Sequence, residues 1–439
     1  MQETPFVLLS LTDTLTVAFR ADAPGLAFLV LVAAMWTVAG IYALRYKDHL
    51  ENNGRFFAFY LLTLVMLVGL SFAANYMTLY LFFEMMTLFS VPLVLHDGTA
   101  EAVSAAKKYL FYSIFGATLG LLGFFFIHAY GTTGDFMPGG VLDAGKISGN
   151  EEVVSVVAFL AVMGFGAKAG LFPLHAWLPA AHPVAPSPAS AVLSGVITKA
   201  GVFCIVRVIY YQFGVGFLRG TWVQEAWISV ALLTILMGSL MAFREKRLKT
   251  RLAYSTVSQL SYILLGFFFL NEIAFAGAML HVLYHSVLKD GLFLSAGNIL
   301  YRTRLEQVDD LKGLGRRMPW TLACFTVFSL GLTGIPPFAG FLSKWELAQG
   351  ALHSGLLPYS WLAPAILLVS AVLTAGYLFP IVVHGFFPGR DACAERGDVG
   401  EAPAVMLGAV LLLAAAAVLL GLFGNSVLAY FFEIADTVF

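Results

Sequence analysis

Five ionisable side chains fall inside apolar stretches of this 439-residue chain: Glu84 in TLYLFFEMMTLF, Lys168 in GFGAKAGLFPLHAWLPAAHP, Lys199 in SAVLSGVITKAGVFCIVRV, Lys289 in LHVLYHSVLKDGLFLSAG and Lys344 in SLGLTGIPPFAGFLSKWEL. A charge at the centre of a bilayer costs about 2.5–3.5 kcal/mol on insertion scales, so five of them need compensation on the order of 10 kcal/mol. Such groups nearly always face a protein interior or a water-filled path, and their commonest use is to move protons or ions. The run around Lys289 also holds His281 and His285, which stand with the lysine at i, i+4 and i+8. Steps of four drift by about 40° each on an α-helix, so the three side chains form one polar stripe about 12 Å long. Histidine donates and accepts protons near neutral pH, which suits a relay. The competing reading of two histidines at i and i+4 is a metal site, but Val282 follows His281, so the carboxylate of an HExxH site is missing.

Each remaining site has a plainer reading beside the sharper one. Glu84, between Phe82, Phe83, Met85 and Met86, has no short route to an interface. Its carboxylate either stays protonated or pairs with a cation, as a proton handler or as a structural pair. Around Lys168, glycines let helices approach closely and Pro173 removes a helix hydrogen bond, so a broken helix frees carbonyls near the lysine. The plainer reading is a lysine that reaches the interface from a helix end. His175 and His182, in a stretch with Pro179, Pro183, Pro186 and Pro188, either connect the site to water or are structural histidines. Lys199 lies about eleven residues into its helix, too deep to snorkel, whereas Arg207 two turns later is expected to be an interfacial anchor. Near Lys344, Gly331, Gly334, Pro336 and Pro337 interrupt a second long apolar segment. Two proline-broken segments in corresponding positions point to inverted repeats with sites near the membrane midplane.

These sites need membrane-spanning elements to hold them. Apolar residues make up 59% of the chain and charged residues 12%, against about 25% charged in an ordinary soluble domain. The mean hydropathy is +0.84. About a dozen stretches of spanning length occur, near 22–45, 56–73, 75–95, 108–130, 153–172, 188–212, 224–243, 252–270, 273–300, 319–352 (broken), 358–384 and 403–425. Hydrocarbon cannot satisfy free backbone groups, so the fold class is an all-α polytopic membrane protein of about 12 transmembrane helices, with two inverted five-helix repeats each holding a proline-broken helix. The expected divisions are a short outer hairpin at 1–21, a first helix and loop at 22–55, the repeats at 56–223 and 224–402, and a C-terminal helix at 403–439. The polar start carries no basic n-region or cleavage site, and no cleaved signal peptide is expected.

Alternate loops differ sharply in charge. One set holds Arg45, Lys47, Arg55, Lys107, Lys108, the run REKRLKTR at 244–251, Arg302, Arg304, Lys312, Arg316, Arg317, Arg390 and Arg396, and the other only Arg20, Lys146 and Arg219. The positive-inside rule makes the first set cytoplasmic and puts both termini outside. With a net charge of −1 and short basic loops, nucleic acid is not an expected partner. Cys204, Cys324 and Cys393 are isolated, so there is no cluster-type or zinc spacing. Neither a GxxxxGK[ST] loop nor a GxGxxG turn is present. No cofactor or metal is expected on this chain, and the driving force must come from an ion gradient or another subunit.

The runs LFFEMMTL, AKAGLFPLHAWLPAAHPVAPSPASAVLSGVITKAG, LAYSTVSQLSYILLG, HVLYHSVLK and GIPPFAGFLSKWE together resemble the antiporter-like ion-translocating subunits shared by respiratory complex I, membrane-bound hydrogenases and Mrp-type cation/proton antiporters, over about residues 60–385. The resemblance implies that Glu84 and Lys168 form a coupling ion pair, that Lys199 with His281, His285 and Lys289 makes a central hydrophilic axis, and that Lys344 ends the path. It implies a proton- or Na⁺-translocating, non-redox subunit of a redox-driven complex. Its partners would be other membrane subunits and a redox module elsewhere in the complex, in a prokaryotic cytoplasmic (inner) membrane. A subunit of a gradient-driven Mrp-type antiporter is the alternative, and an idle structural subunit is disfavoured by the desolvation of so many charges. Many relatives have two further helices at the start. Asp290, following Lys289 where relatives usually carry a small or apolar residue, either pairs with that lysine or occupies another helix face.

Overall fold

In a computed structural model, residues 4–12, 14–389 and 400–439 are described; Arg390, Cys393 and Arg396 lie outside them. The chain opens on an antiparallel hairpin, β1 (Phe6–Ser10) and β2 (Thr16–Phe19). There follow α1 (Ala23–Tyr46), α2 (Asn53–Ser71), α3 (Tyr76–Val94), α4 (Ala100–Tyr130), the short α5 (Ala144–Ile147) and α6 (Glu151–Lys168). Next come α7 (Trp177–Val184), α8 (Ser187–Val192), α9 (Thr198–Val208) and the single turn α10 (Val215–Leu218). The second half holds α11 (Trp222–Arg244), α12 (Leu248–Phe268), α13 (Glu272–Thr303), α14 (Pro319–Thr333), α15 (Phe341–Leu352), α16 (Tyr359–Phe386), α17 (Ala404–Leu422) and α18 (Gly424–Asp436).

Polar residues at the ends of the apolar runs set where several helices begin, because their side chains accept from otherwise unbonded N–H groups. Asp22 accepts from Gly25 N at 3.0 Å, Asn75 from Thr78 N at 2.8 Å, Thr99 from Ala102 N at 3.1 Å and Asn271 from Ala274 N at 2.9 Å. Every one of the apolar stretches read from the sequence is helical. Among the described residues, eight helices are long and apolar enough to cross a membrane. The stretches that fall short are α6, α12, α13 and the α14–α15 pair, the ones that carry Lys168, a serine/glutamine face, the histidine stripe and Lys344. They fall short for different reasons: α14 is apolar but has only 15 residues and α15 only 12, α6 carries Glu151, Glu152 and Lys168, and α12 and α13 bring polar groups inside.

Burial ranks the helices from centre to rim. The span Ser187–Phe213 is buried throughout, and α12 and α13 nearly so, whereas α16 and α17 are about one-third buried or less. The outer helices therefore face lipid with one side and shield a polar centre with the other. Both halves contain one interrupted helix. After α6 ends at Lys168 the chain is irregular to Ala176, with Gly170 at φ 75°, and α7 resumes. After α14 ends at Thr333, Gly334 caps it at φ 90° and α15 begins at Phe341. The two breaks are not identical in order: Lys168 closes the helix before its break, and Lys344 lies in the first turn after its own. Beyond residue 403 the chain forms two helices rather than one, because α17 stops at Leu422 and α18 turns back onto α13, with Gly424 against the Tyr284 hydroxyl.

Candidate functional site

Lys168 sits at the carboxyl end of α6, where helix carbonyls lack partners and a cation is favoured. Only 1% of it is exposed, which excludes a lysine reaching for the interface. Its ammonium donates to the Tyr109 hydroxyl and to Ser113 Oγ, both at 3.0 Å, and lies 4.4 Å from the centre of the Tyr109 ring. Tyr109 and Ser113 are i and i+4 on α4, so they share one face. Trp177 stacks on Tyr109 at 4.5 Å and donates Nε1 to Ala167 O at 2.8 Å, which satisfies a carbonyl that the break sets free. Glu84, on the facing helix α3, is half-buried, and its Oε1 has no hydrogen-bond partner among the described residues. Its charge acts on Lys168, but the lysine's bonds go to the two hydroxyls on α4.

Lys199 is placed by an irregularity. Between α8 and α9 the turn Leu193–Ile197 is a π-helix, a feature frequent at functional sites. Wider winding leaves carbonyls turned toward side chains: Ser194 O accepts from Lys199 Nζ at 2.5 Å and from Thr198 Oγ1 at 2.8 Å, and Gly195 O accepts from Ser286 Oγ at 2.7 Å. The whole segment is buried.

On α13 the stripe faces inward. His281, His285 and Lys289 are 1%, 0% and 0% exposed, and the two imidazoles are 6.1 Å apart between ring centres. His281 bridges Ser343 Oγ on α15, at 2.9 Å from Nδ1, and Gln259 Oε1 on α12, at 3.1 Å from Nε2. Neither nitrogen of His285 has a partner among the described residues. The Lys289 ammonium donates to Leu252 O at 2.9 Å and to Ser255 Oγ, both on α12. Lys344 donates to Leu332 O at 2.6 Å and Thr333 O at 3.1 Å, the last carbonyls of α14. It also lies 5.1 Å from the Tyr262 ring, which stacks on His281. The stripe and Lys344 therefore meet through α12.

Other residues behave differently from their sequence reading. Arg207 is no interfacial anchor: it is fully buried and holds Asp22 in a two-pronged pair, NH1 to Oδ2 at 2.7 Å and NH2 to Oδ1 at 2.6 Å. Asp22 begins α1, and this long-range partner was invisible locally. Asp290 occupies a different face from Lys289, packed on Gly195 of the π-turn, and Lys199 is the ionisable group that acts on it. His182 is buried and stacked on Phe293 at 4.5 Å, with both nitrogens unpartnered among the described residues; His175 is less deeply placed, in the irregular stretch after α6, beside Phe172. Sequence reasoning missed Tyr109, Ser113, Ser255, Gln259, Tyr262 and Ser343. The α12 members left a trace, since residues 255, 259 and 262 recur at helical spacing within an apolar run.

With the geometry in hand, comparison with known proteins gives a consistent result. Residues 73–374 match the family described as "NADH:quinone oxidoreductase/Mrp antiporter, TM". The chain is 33% identical over 413 residues to NADH-quinone oxidoreductase subunit N of Desulforudis audaxviator, covering 91% of this chain and 81% of the relative. It is 32% identical over 421 residues to hydrogenase-4 component B of Escherichia coli, covering 90% of this chain but only 61% of that longer protein. Its fold is that of a chain in the structure of the Mrp complex from Dietzia sp. DQ12-45-1b, with a TM-score of 0.85 over 99% of this chain and 87% of that one, at 22% identity.

Proposed function

Because this chain belongs to the NADH:quinone oxidoreductase/Mrp antiporter transmembrane family and is an ion-translocating, antiporter-like multi-pass membrane subunit, we propose that it carries protons, or Na⁺, within a redox-driven complex whose electron-transfer module lies on other subunits. The observation that carries this reading is the row of titratable groups at the centre of the fold: Lys168, Lys199, His285, His281 and Lys289, all buried, with Lys344 and Glu84 partly buried beside them. Each ammonium is hydrogen-bonded to hydroxyls or to backbone carbonyls, those of Lys199 and Lys344 lying at a π-turn and at a helix end, so it is tolerated inside without being fixed in a rigid carboxylate pair. The relatives above 30% identity include a quinone oxidoreductase subunit and a hydrogenase component, which favours the redox-driven class over a gradient-driven antiporter.

The mechanism follows from the spacing of charges. Two unit charges 4 Å apart at an effective dielectric near 20 interact by about 4 kcal/mol, and doubling the distance removes about half. A partner subunit that moves Glu84 toward or away from Lys168 therefore changes the energy of a proton on that lysine enough to drive it along the row. Protons pass by Lys199 and the α13 stripe, and Lys344 exchanges them with one aqueous side. The basic loops face the cytoplasm and both termini lie outside, in a prokaryotic cytoplasmic membrane. We test this with the complex purified through a tag on this chain and reconstituted in vesicles: Lys168→Ala and Glu84→Gln each lower coupled ion uptake at unchanged redox turnover. Full coupling in both variants refutes the reading. Co-purifying iron–sulfur or nickel proteins support the redox class, and small hydrophobic subunits alone support the antiporter class.

A further inference from the structure

The Asp290 carboxylate is the acid of the polar centre whose two oxygens both lack a hydrogen bond among the described residues, as do the ring nitrogens of His182 and His285. It is fully buried on α13. A buried ion left unpaired is costly, so a carboxylate kept there has to be neutral or to answer a nearby cation. Its surroundings are shaped for it. A Cβ built on Gly195 would overlap Oδ1, so the absence of a side chain at this point of the π-turn makes the space the carboxylate fills. The same π-turn presents Ser194 O, the acceptor that holds the Lys199 ammonium. One irregular turn thus seats the acid through Gly195 and the base through Ser194. Among the described ionisable groups Lys199 is near enough for its charge to act on Asp290, and Asp290 on Lys199, without a hydrogen bond between them, and Tyr60 of α2 also lies within reach of the carboxylate's charge. On α13 itself, Lys289 is turned to α12, and His285, 6.1 Å from His281 between ring centres, lies within electrostatic reach of Lys199, Lys289, His281 and, from α15, Lys344.

We propose that Asp290 is the proton-exchange partner of Lys199, a second acid–base unit of the ion path beside Glu84 and Lys168. The inference rests on the translocation reading above and extends it. In the exchange an N–H bond of the ammonium breaks and an O–H bond forms on the carboxylate, leaving a neutral amine and a carboxylic acid. The charged pair and the neutral pair have the same net charge, so the site switches without drawing an ion from water. Lys199 can then present its charge to His285 or withdraw it.

The test has two arms on the intact complex. In the first, infrared difference spectra between acid and alkaline pH show a protonated-carboxyl band that is lost in Asp290→Asn and retained in Glu84→Gln. Lys199→Gln displaces the pH at which that band titrates by about one pH unit or more, the 1.36 kcal/mol of coupling that such a displacement measures. In the second arm, Asp290→Asn lowers ion uptake several-fold and changes its pH profile, and the Asp290→Asn/Lys199→Gln double variant is no worse than either single change, as for two groups acting as a unit. A band insensitive to Lys199→Gln, or wild-type uptake and pH profile in Asp290→Asn, overturns the proposal. If the wild-type complex moves no ion, the functional reading fails, while the infrared arm still decides whether the two side chains exchange a proton.

Discussion

Removing the Asp22 carboxylate strands a guanidinium that water does not reach. Arg207 is wholly buried, its Nε has no hydrogen-bond partner among the described residues, and its charge is otherwise met only by the faces of Phe136, Phe203 and Tyr211, 4.9–5.1 Å from the ring centres. Breaking a buried pair from one side costs about 3–5 kcal/mol, because the surviving charge is unsatisfied. Losing the cap that Asp22 gives α1 costs about 1 kcal/mol more. Asp22→Ala is therefore expected to lower the melting temperature of the purified protein markedly. Adding Arg207→Met, which removes the stranded charge and keeps much of the volume, should restore most of the loss and leave a deficit of the size of the cap. A double variant as unstable as the single would show that the pair contributes through packing instead. Read from its own helix, Arg207 looks like an interfacial anchor, because the partner that goes with its burial lies 185 residues away. The same holds for Tyr109 and Ser113, which answer Lys168 from 59 and 55 residues upstream.

Helices that carry these residues must approach closely, and glycine sets the approach of α4 to α6. A Cβ on Gly116 would overlap the Gly164 carbonyl, and one on Gly164 would overlap the carbonyl of Gly116, so the two backbones touch. Gly120 and Gly123 continue the contact along α4 against Phe165 and Ala161. In a bilayer, where lipid tails are as apolar as side chains, such small-residue contacts carry helix association. They also fix the register that brings Tyr109 and Ser113 of α4 to Lys168 of α6. Gly164→Val is expected to part the helices, lower thermal stability and weaken ion uptake together. Gly408→Ala, on α17 where a Cβ meets nothing within 4 Å, is the control expected to change neither. Uptake and melting unaffected by Gly164→Val would mean that the α4–α6 contact does not position Lys168. At this scale the broken helices were legible, since Gly and Pro mark backbone exceptions locally. The π-turn before Lys199 was not: LSGVI reads as ordinary helix, and its winding is set by what packs on it, including Asp290 and Ser286.

At the scale of the whole molecule, tertiary bonds sort the loops into two groups that agree with their charge. Arg247 joins Glu101 at 2.9 Å and Glu306 at 2.8 Å, so the loops before α4, before α12 and after α13 meet at one end, the end rich in arginine and lysine. The other group is tied by the pairings of Phe19 with Ala73, Asn75 with Asp135 and Gly131 with Leu142. There Arg219 donates to Leu270 O at 2.6 Å. The charge difference that predicts orientation is thus a difference between two physical rims, and the positive-inside rule assigns the basic one to the cytoplasm. Single cysteines test this in a background with Cys393→Ser, since Cys204 and Cys324 are buried. Lys246→Cys, exposed on the basic rim, is expected to react with a membrane-impermeant maleimide only in inverted vesicles, where the cytoplasmic face is outward. Glu151→Cys, exposed at the start of α6 on the other rim, should react only in right-side-out vesicles. Swapped labelling would reverse the direction assigned to the path while leaving its residues untouched. Labelling of both positions from one side would mean that an odd number of crossings between them has been misread, and with it the inversion that relates the two halves.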